Sequence, residues 1–147
     1  MTVRLAEPEP CACLPPLDRE QLVRRAEGLL AALGRADAEI SIALVGDATM
    51  AQLNRQHRGA LGATDVLSFS LLEGEHVPHR GGLLGDVVID LEVAGRQARE
   101  AGWSLEEEVL RLLIHGTLHL LGYDHERPED AARMEERERR LWDVLAG

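Results

Sequence analysis

The sequence predicts a single α+β domain over residues 1–147, in which a small mixed sheet of four strands packs with about five helices. The chain has 147 residues, enough for one domain with a hydrophobic core of ordinary size. Apolar residues make up 45% of it, which is typical of globular proteins. Segments in which apolar residues alternate are interleaved with segments of helical periodicity, so both strands and helices are expected.

The first half of the chain predicts two strands and two helices. A short strand over Val3–Leu5 precedes a proline-rich connector. The first helix covers 18–33, because its first residue is an aspartate suited to capping and Gln21 follows three residues later. Apolar residues alternate along Glu39–Val45, which predicts a strand. An aspartate then caps a second helix over about 47–58.

The second half predicts two further strands and three helices. The segments DVLSFSLL (65–72) and LLGDVVIDL (83–91) are the strand candidates, and 92–102 is expected to be helical. Ser104 and Glu107 have the spacing of a capping box, which begins the longest apolar helix. Pro128 suits the first turn of the last helix, and its EERERR run is interpreted as a solvated face with intrahelical ion pairs. The apolar residues of this helix fall near one stripe: Met134, Leu141 and Leu145.

Composition indicates a cytoplasmic protein. No apolar run approaches the roughly 20 residues that span a bilayer. The N-terminus has acids and prolines where a signal peptide has its apolar segment. Cys11 and Cys13 have no partner pair elsewhere, and two thiolates alone cannot complete a structural zinc site. We expect reduced thiols there, as in a reducing compartment, and their role stays open.

The charge distribution limits how this chain could meet nucleic acid. The net charge is −10, and all 16 basic residues are arginines. An acidic protein is repelled by phosphates over most of its surface, so a nucleic-acid substrate would have to meet a local group of arginines. Guanidinium groups suit that task, because they bind phosphate oxygens in pairs.

The most informative segment is HGTLHLLGYDH, residues 115–125. On a helix, His115 and His119 project from one face and can reach one metal ion. Gly122 lets the backbone leave the helix sharply, and His125 follows, so the turn can carry a third imidazole back towards the first two. Three neutral imidazoles with an open fourth position are typical of catalytic zinc, because structural zinc normally has four protein ligands. The segment predicts a zincin-like metal helix with one Zn²⁺ per chain.

A structural role for these histidines is the alternative. A single histidine in an apolar helix usually packs with a satisfied ring, and an i, i+4 pair often arises by chance. Three of the chain's six histidines in H-x3-H-x5-H spacing, with a glycine at the bend, favour metal binding. Imidazole suits zinc, although nickel, copper or iron fit the same ligands. The metzincin peptidases share this spacing, but Gly116 stands where their general-base glutamate lies.

Three segments of the chain, including the histidine motif, match sequence patterns of one known family. HGTLHLLGYDH resembles H-G-x-L-H-L-x-G-Y-D-H, LNRQHRGALGATDVLSFS (53–70) resembles L-N-x-x-Y-R-x5-T-D-V-L-S-F-P, and LLGDVVID (83–90) resembles L-G-D-[IV]-x-I. All three patterns resemble those of the YbeY family of endoribonucleases and rRNA maturation factors, and they follow one another along the chain in the order and spacing of that family. The resemblance covers roughly residues 40–145, whereas 1–17 match poorly.

The resemblance implies a cytoplasmic, zinc-dependent endoribonuclease that prefers single strands and acts in small-subunit rRNA 3′-end maturation and ribosome quality control. It maps the metal ligands onto His115, His119 and His125, and a functionally important arginine onto Arg58. Arg58 and His115 are thus the expected catalytic residues. The implied partners are single-stranded RNA, rRNA, and the small ribosomal subunit or an associated protein, with no membrane.

Two positions depart from the family pattern. His57 replaces a tyrosine, and we expect it to keep the packing role of that ring, although a fourth ligand is conceivable. Ser70 replaces a proline and should change only how the strand ends. The remaining expectations concern supporting residues: Asp124 or Asp86 orienting a ligand histidine, Asp65 and Ser68 lining the cleft, Tyr123 packing, and His76 and His79 at the surface of a loop.

Two other functions stay open at this point. A ribosome-assembly factor with a mainly structural metal is favoured by the acidic surface, which suits a basic patch on a protein partner. A zinc peptidase-like hydrolase is disfavoured by Gly116. The sequence leaves undetermined the general base, the product ends, the RNA cleavage site and the oligomeric state.

Overall fold

The computed structural model describes residues 3–10, 14, 16–58, 65–70, 83–123 and 127–146, with the side chains of 57, 58, 70 and 83 excepted. In this part of the chain the strands and helices are, in order, β1 (Val3–Leu5), α1 (Arg19–Ala32), β2 (Glu39–Val45), α2 (Asp47–Arg58), β3 (Val66–Ser70), β4 (Leu83–Asp90), α3 (Leu91–Ala101), α4 (Leu105–Leu120) and α5 (Pro128–Leu145). The predicted α+β fold, with four strands and five helices, is confirmed.

The four described strands form one mixed sheet in the order β1-β2-β4-β3. The first three strands in this order run parallel, and β3 pairs antiparallel with β4. A parallel neighbour requires a crossover connection, which α1 provides between β1 and β2. The sheet is therefore mixed, as predicted, and β3 is placed beside the last strand.

Local capping signals explain where most helices begin and end. The side chain of Asp18 accepts a hydrogen bond from the amide of Gln21. Ser104 and Glu107 form the predicted capping box at the start of α4. Gly102 ends α3 in the left-handed conformation, with φ 77°, which glycine adopts without a steric penalty.

Helix α2 has its predicted bounds, but Asp47 does not have its predicted role as the cap. Asp47 is its first helical residue, and the amide of Met50 bonds to the carbonyl of Gly46. Two glutamates distant in sequence accept hydrogen bonds from the backbone amides at the start of this helix. The amide of Gly46 donates to Oε1 of Glu9, and the amide of Asp47 donates to Oε1 of Glu92, each at 2.9 Å. Asp47 does not cap the helix, because its carboxylate pairs with an arginine of α3 instead.

The alternating side chains of the sheet separate two buried faces. Val87 packs towards α4 in the main core, together with residues of α1 and α5. Val88 points to the other face, where it joins a smaller cluster with Met50 of α2. Because alternate residues of a strand face opposite sides, Val87 and Ile89 face the main core, whereas Val88 faces α2.

Within the described residues, no helix combines the length and the apolar character needed to cross a bilayer.

Candidate metal centre

Helix α4 brings two imidazoles together on one face. His115 and His119 lie one turn apart, and their Nε2 atoms are 3.2 Å from each other. The rings meet edge to face, with centroids 4.7 Å apart. The predicted pair is therefore adjacent in space, as the i, i+4 spacing requires.

A carboxylate from α5 holds one of these rings. Nδ1 of His115 lies 2.7 Å from Oε2 of Glu138, and both side chains are less than a third exposed. A carboxylate accepts a hydrogen bond from the protonated ring nitrogen, so Nδ1 of His115 donates and Nε2 keeps its lone pair. This tautomer presents the lone pair of His115 towards His119.

The geometry of the pair fits a metal ion. Two ligand nitrogens at about 2.0–2.1 Å from a tetrahedral zinc ion lie about 3.3 Å apart. The observed separation of the Nε2 atoms, 3.2 Å, is close to that edge length. A carboxylate on the opposite ring nitrogen is the usual outer partner of a metal-binding histidine. His115 and His119 therefore have the donor chemistry and the spacing for one divalent ion.

The third predicted ligand, His125, lies outside the described residues, as does Asp124. The chain leaves α4 at Gly122, which has φ 96° and donates its amide to the carbonyl of His119. The predicted helix end at this glycine is confirmed. Tyr123 packs against the main core, as expected.

Glu138 was missed by the sequence interpretation, which assigned the whole EERERR run to a solvated face. Part of that run is as predicted, since Glu136 pairs with Arg139 and Arg140 along the helix. Glu138, however, lies between Met134 and Leu141, the two buried residues of α5. A carboxylate on the core-facing stripe of a helix was the signal that could have identified it.

Gly116 packs α4 closely against the sheet. A Cβ atom here would lie 2.9 Å from Cγ1 of Val87 and 3.0 Å from Cγ2 of Val66. The hydroxyl of Ser68 donates to the carbonyl of Gly116 at 2.8 Å. The predicted cleft residue Ser68 thus lies beneath the histidine turn and fixes the helix to β3.

The other acidic candidates lie away from the imidazoles. Asp86 is exposed and pairs across the strands with Phe69, on the sheet face that meets α2 rather than α4. Among the described carboxylates it is Glu138, not Asp86, that contacts His115. Asp65 approaches Arg111 of α4 at 4.0 Å, one turn before His115. Asp65 therefore lies near the face of α4 that carries the histidines, and its role in lining a cleft stays a prediction.

The structure describes Arg58 only as the last residue of α2, and its side chain is not described. The same holds for the side chain of His57, and for that of Ser70, the last residue of β3. The remaining predicted positions lie outside the described residues: Cys11, Cys13, His76 and His79.

A second group of possible metal ligands lies where α2 and α3 begin. Oxygen atoms of Asp47, Asp90 and Glu92 lie within 4.8 Å of one another. Most of these oxygens already have structural partners: Asp90 caps α3, Glu92 accepts the amide of Asp47, and Asp47 binds Arg96. Burial, together with Asp47, raises the pKa of Asp90 to about 7. This cluster is explained by capping and by the ion pair between Asp47 and Arg96.

A pocket of about 300 Å³ lies beside the histidine pair, between α4 and α5. Its walls include Trp103 and Trp142, and Ile114 precedes His115 directly. Glu138 belongs both to this pocket and to the contact with His115. The imidazoles and the pocket are therefore neighbours joined by one side chain.

Together, the fold and the site define an α+β protein with a helix-borne imidazole pair, one of whose rings is held by a carboxylate. Comparison with known proteins agrees with this class. A family model described as Endoribonuclease YbeY matches residues 17–146, and this chain belongs to that family.

Relatives named Endoribonuclease YbeY support the assignment. The one from Anaeromyxobacter sp. (strain Fw109-5) is 54% identical over 141 residues, 96% of this chain and 70% of the relative. The one from Anaeromyxobacter dehalogenans is also 54% identical, over 82% of this chain and 61% of the relative's length. The one from Geobacter sulfurreducens is 40% identical over 88% of both chains.

A solved structure shows the same fold. The solution structure of TM1509 from Thermotoga maritima has a TM-score of 0.60 and 26% sequence identity, over 98% of this chain and 91% of that one. The α+β arrangement described above is therefore shared with an experimentally determined protein.

Proposed function

We propose that this chain is a zinc-dependent endoribonuclease, with one ion held by His115, His119 and His125. One observation carries the proposal: two Nε2 atoms lie 3.2 Å apart, and the ring of His115 is fixed by Glu138. Family membership supplies the reaction class, because the matched relatives are named endoribonucleases. Zinc is the favoured ion because an all-imidazole set with an open position is typical of it.

Each residue has a defined task in this proposal. A divalent ion with imidazole ligands supplies a Lewis acid, which lowers the pKa of water to about 7 and polarises phosphoryl oxygens. Glu138 accepts a hydrogen bond from Nδ1 of His115 and so orients the ring, with Nε2 directed towards the proposed ion. Ser68 ties the backbone of Gly116 to β3, which holds the helical turn carrying the histidines.

Arg58 is proposed to bind the scissile phosphate. It is the last residue of α2, and a guanidinium presents paired N–H donors that match phosphate oxygens. Such donors stabilise the negative charge that develops on phosphorus-bound oxygens during cleavage. Arg58 therefore serves transition-state stabilisation in this proposal, not proton transfer.

The proposed substrate is single-stranded RNA, in particular small-subunit rRNA precursors at their 3′ end, with a role in ribosome quality control. This part rests on the family resemblance. The net charge of −10 supports docking on a basic protein of the small subunit, since like charges repel the chain from RNA over most of its surface. The proposed location is the cytoplasm.

A peptidase is not favoured at this site. The metzincin pattern places its general base where Gly116 lies, and a Cβ there would already approach Val87 within 2.9 Å. A glutamate side chain at this position has no space without displacing α4 from the sheet. The structural environment of Gly116 therefore argues against a peptidase of the metzincin type.

The decisive experiment measures metal content and cleavage together. The purified chain should contain about one transition-metal ion, and His115→Ala and His119→Ala should lose it. Metal-loaded protein should cut single-stranded RNA and leave unstructured protein intact, and a chelator should abolish cutting. Glu135→Ala, an exposed change on α5, is the matched control. Full metal occupancy in the histidine variants would overturn the ligand assignment, and retained metal without RNA cleavage would favour an assembly factor.

The role of Arg58 is tested by kinetics. Arg58→Ala should reduce kcat/KM for RNA by about 10²–10³-fold, as removal of one transition-state donor does in other enzymes. Its metal content should equal that of the unmutated chain. Wild-type cleavage rate and affinity in this variant would contradict the phosphate-binding role. Analysis of product ends separates attack by the RNA 2′-hydroxyl, which leaves a cyclic or 3′-phosphate, from attack by water that leaves a 5′-phosphate.

A further inference from the structure

Both tryptophans of the chain lie at one pocket beside the histidine pair. The whole sequence has four aromatic residues in the Phe, Trp and Tyr classes: two Trp, one Tyr and one Phe. Trp103 and Trp142 form a tilted pair with ring centroids 5.3 Å apart. The pocket they line has a volume of about 300 Å³. Half of the chain's Phe, Trp and Tyr residues therefore line this one pocket, which suggests a role in binding as well as in packing.

We propose that this pocket binds an unpaired nucleobase of the RNA strand, stacked on the tryptophan pair next to the cleavage site. The inference rests on the proposed endoribonuclease function and adds a substrate subsite to it. A volume of about 300 Å³ is at the lower end for ligand pockets, so it fits one base-sized group better than a larger ligand. Stacking on aromatic rings is the usual way in which proteins bind unpaired bases.

The charged side chains of the pocket suit a nucleotide. Arg111 and Arg139 contribute two positive charges and Glu138 one negative charge, although the chain as a whole has a net charge of −10. The guanidinium of Arg111 is held by buried Glu108 at 2.6 Å, yet its side chain is 41% exposed. Arg139 is 70% exposed and pairs with Glu136. Both guanidinium groups are ion-paired but partly exposed, so a phosphate should be repelled less at this pocket than over the rest of the acidic chain.

The geometry restricts how a base can enter. Centroids 5.3 Å apart indicate rings in direct contact, so no base fits between Trp103 and Trp142. The base must extend the stack from the pocket side, above the floor that buried Ile114 provides. A base held in a duplex has no free face to offer. The pocket therefore provides a physical reason for selecting single strands.

The pocket adjoins the proposed metal centre through one side chain. Glu138 lines the pocket and contacts His115, and Arg111 lies one helical turn before that histidine. A nucleotide seated here would bring its neighbouring phosphodiester towards the imidazoles. Trp103 is already oriented, because its Nε1 donates to Glu108 at 3.1 Å.

The intrinsic fluorescence of the protein tests this directly, since the chain has only these two tryptophans. The full chain is kept in chelator so that RNA stays intact, and it is titrated with a single-stranded oligouridylate and with a duplex of equal length. We expect saturable quenching by the single strand and little by the duplex. N-acetyltryptophanamide controls for inner-filter effects. Absence of saturable quenching, where binding is detected by filter retention, would overturn the proposal.

Variants separate stacking from folding. Trp103→Leu and Trp142→Leu should each weaken oligouridylate binding by about 5- to 150-fold, the equivalent of the ~1–3 kcal/mol of one base–aromatic stack. Trp103→Phe and Trp142→Phe should retain most of the affinity, because they keep an aromatic face. Circular dichroism confirms folding, and metal content should be unchanged. Equal affinity of the leucine and phenylalanine variants would contradict a base-stacking role.

The two proposals can fail separately. Saturable quenching by RNA in a chain that never cleaves it would leave the nucleobase pocket standing and refute the nuclease. Cleavage that is unaffected in KM by either leucine variant would leave the nuclease and refute the pocket. A pocket that instead accepts an apolar side chain of a protein partner would show no response to oligonucleotide.

Discussion

At the scale of single residues, Gly116 is where the packing of α4 and the chemistry of the site meet. Its neighbours in sequence and structure leave no room for a side chain, since a Cβ would lie within 3.1 Å of Val87, Val66 and Ser68 atoms. The same glycine marks the absence of a peptidase base from the histidine motif. Close packing of α4 against the sheet is therefore enough to explain why position 116 is a glycine, the residue that distinguishes this motif from the peptidase pattern.

Gly116→Ala should destabilise the fold. The added methyl must displace strand side chains in a close-packed core, which typically costs about 1–3 kcal/mol of unfolding free energy. Urea unfolding of the variant measures this loss. Val87→Ala in the same chain should recover part of it, because it removes the nearest atom, Cγ1. A strictly additive double mutant would contradict the contact.

Glu138→Ala should weaken metal binding while leaving the ligands in place. Loss of the outer partner of a metal-binding histidine typically costs 10–100-fold in affinity. The metal affinity of Glu138→Gln should lie between those of the unmutated chain and Glu138→Ala, because the amide oxygen still accepts a hydrogen bond from Nδ1 of His115 but has no charge. Competition with a chromogenic chelator measures the affinity, with Glu135→Ala as control. An unchanged affinity in Glu138→Ala would contradict the orienting role.

The histidine pair was predictable and Glu138 was not, for a physical reason. Residues four apart on a helix are neighbours whatever the rest of the chain does, so His115 and His119 follow from local geometry. The contact of His115 with Glu138 depends on how α5 packs across α4, which no local pattern specifies. The position of Glu138 on the core-facing stripe of α5 predicts that its carboxylate has a partner, but not that the partner is His115.

At the scale of secondary-structure elements, the predicted helix ends agree where the signal is local. Asp18, Ser104 and Gly102 act on the turn that contains them, and each ends or begins a helix within a residue of its predicted position. The capping of α2 differs from the prediction, because the amides of Gly46 and Asp47 donate to Glu9 and Glu92, which lie far away in the sequence. A cap supplied through tertiary structure has no sequence pattern at the helix itself.

The aspartates at the starts of α2 and α3 should make stability depend on pH. Burial and Asp47 raise the pKa of Asp90 from 3.8 to about 7, so the folded chain binds a proton that the unfolded chain releases near pH 4. The free energy of unfolding should therefore fall as pH rises from about 4.5 to 7, by a few kcal/mol, since each pKa unit is worth about 1.36 kcal/mol. Asp90, and after it Arg96, lowers the pKa of Asp47, and the stability that this contributes is lost only at lower pH.

Asp90→Asn isolates this contribution. Asparagine retains an oxygen for the amides of Glu92 and Val93 but cannot ionise. Urea unfolding at pH 4.5, 6 and 7.5 should show a flatter pH dependence in this variant. Equal slopes in the two proteins would show that Asp90 does not titrate in this range.

At the scale of the whole molecule, long-range packing creates the features that the sequence did not predict. Trp103 precedes α4 and Trp142 lies near the end of α5, and their rings meet only because these helices pack side by side. Periodicity predicts which face of each helix is buried, but not which residues of two faces become neighbours. The pocket beside the histidine pair therefore depends on the tertiary fold.

The charge of the whole chain predicts a weak dependence of RNA binding on salt. Binding that neutralises Z phosphates falls with salt with a slope of about −0.7Z for single strands. Arg111 and Arg139 line the pocket, and Arg58 is the proposed phosphate ligand, so Z should be two or three. Raising salt from 50 to 200 mM should then weaken oligouridylate binding by only about 7- to 18-fold. Fluorescence titrations in chelator measure this slope. A slope steeper than about −4 would require six or more phosphate contacts and a broad basic face, which the net charge of −10 opposes.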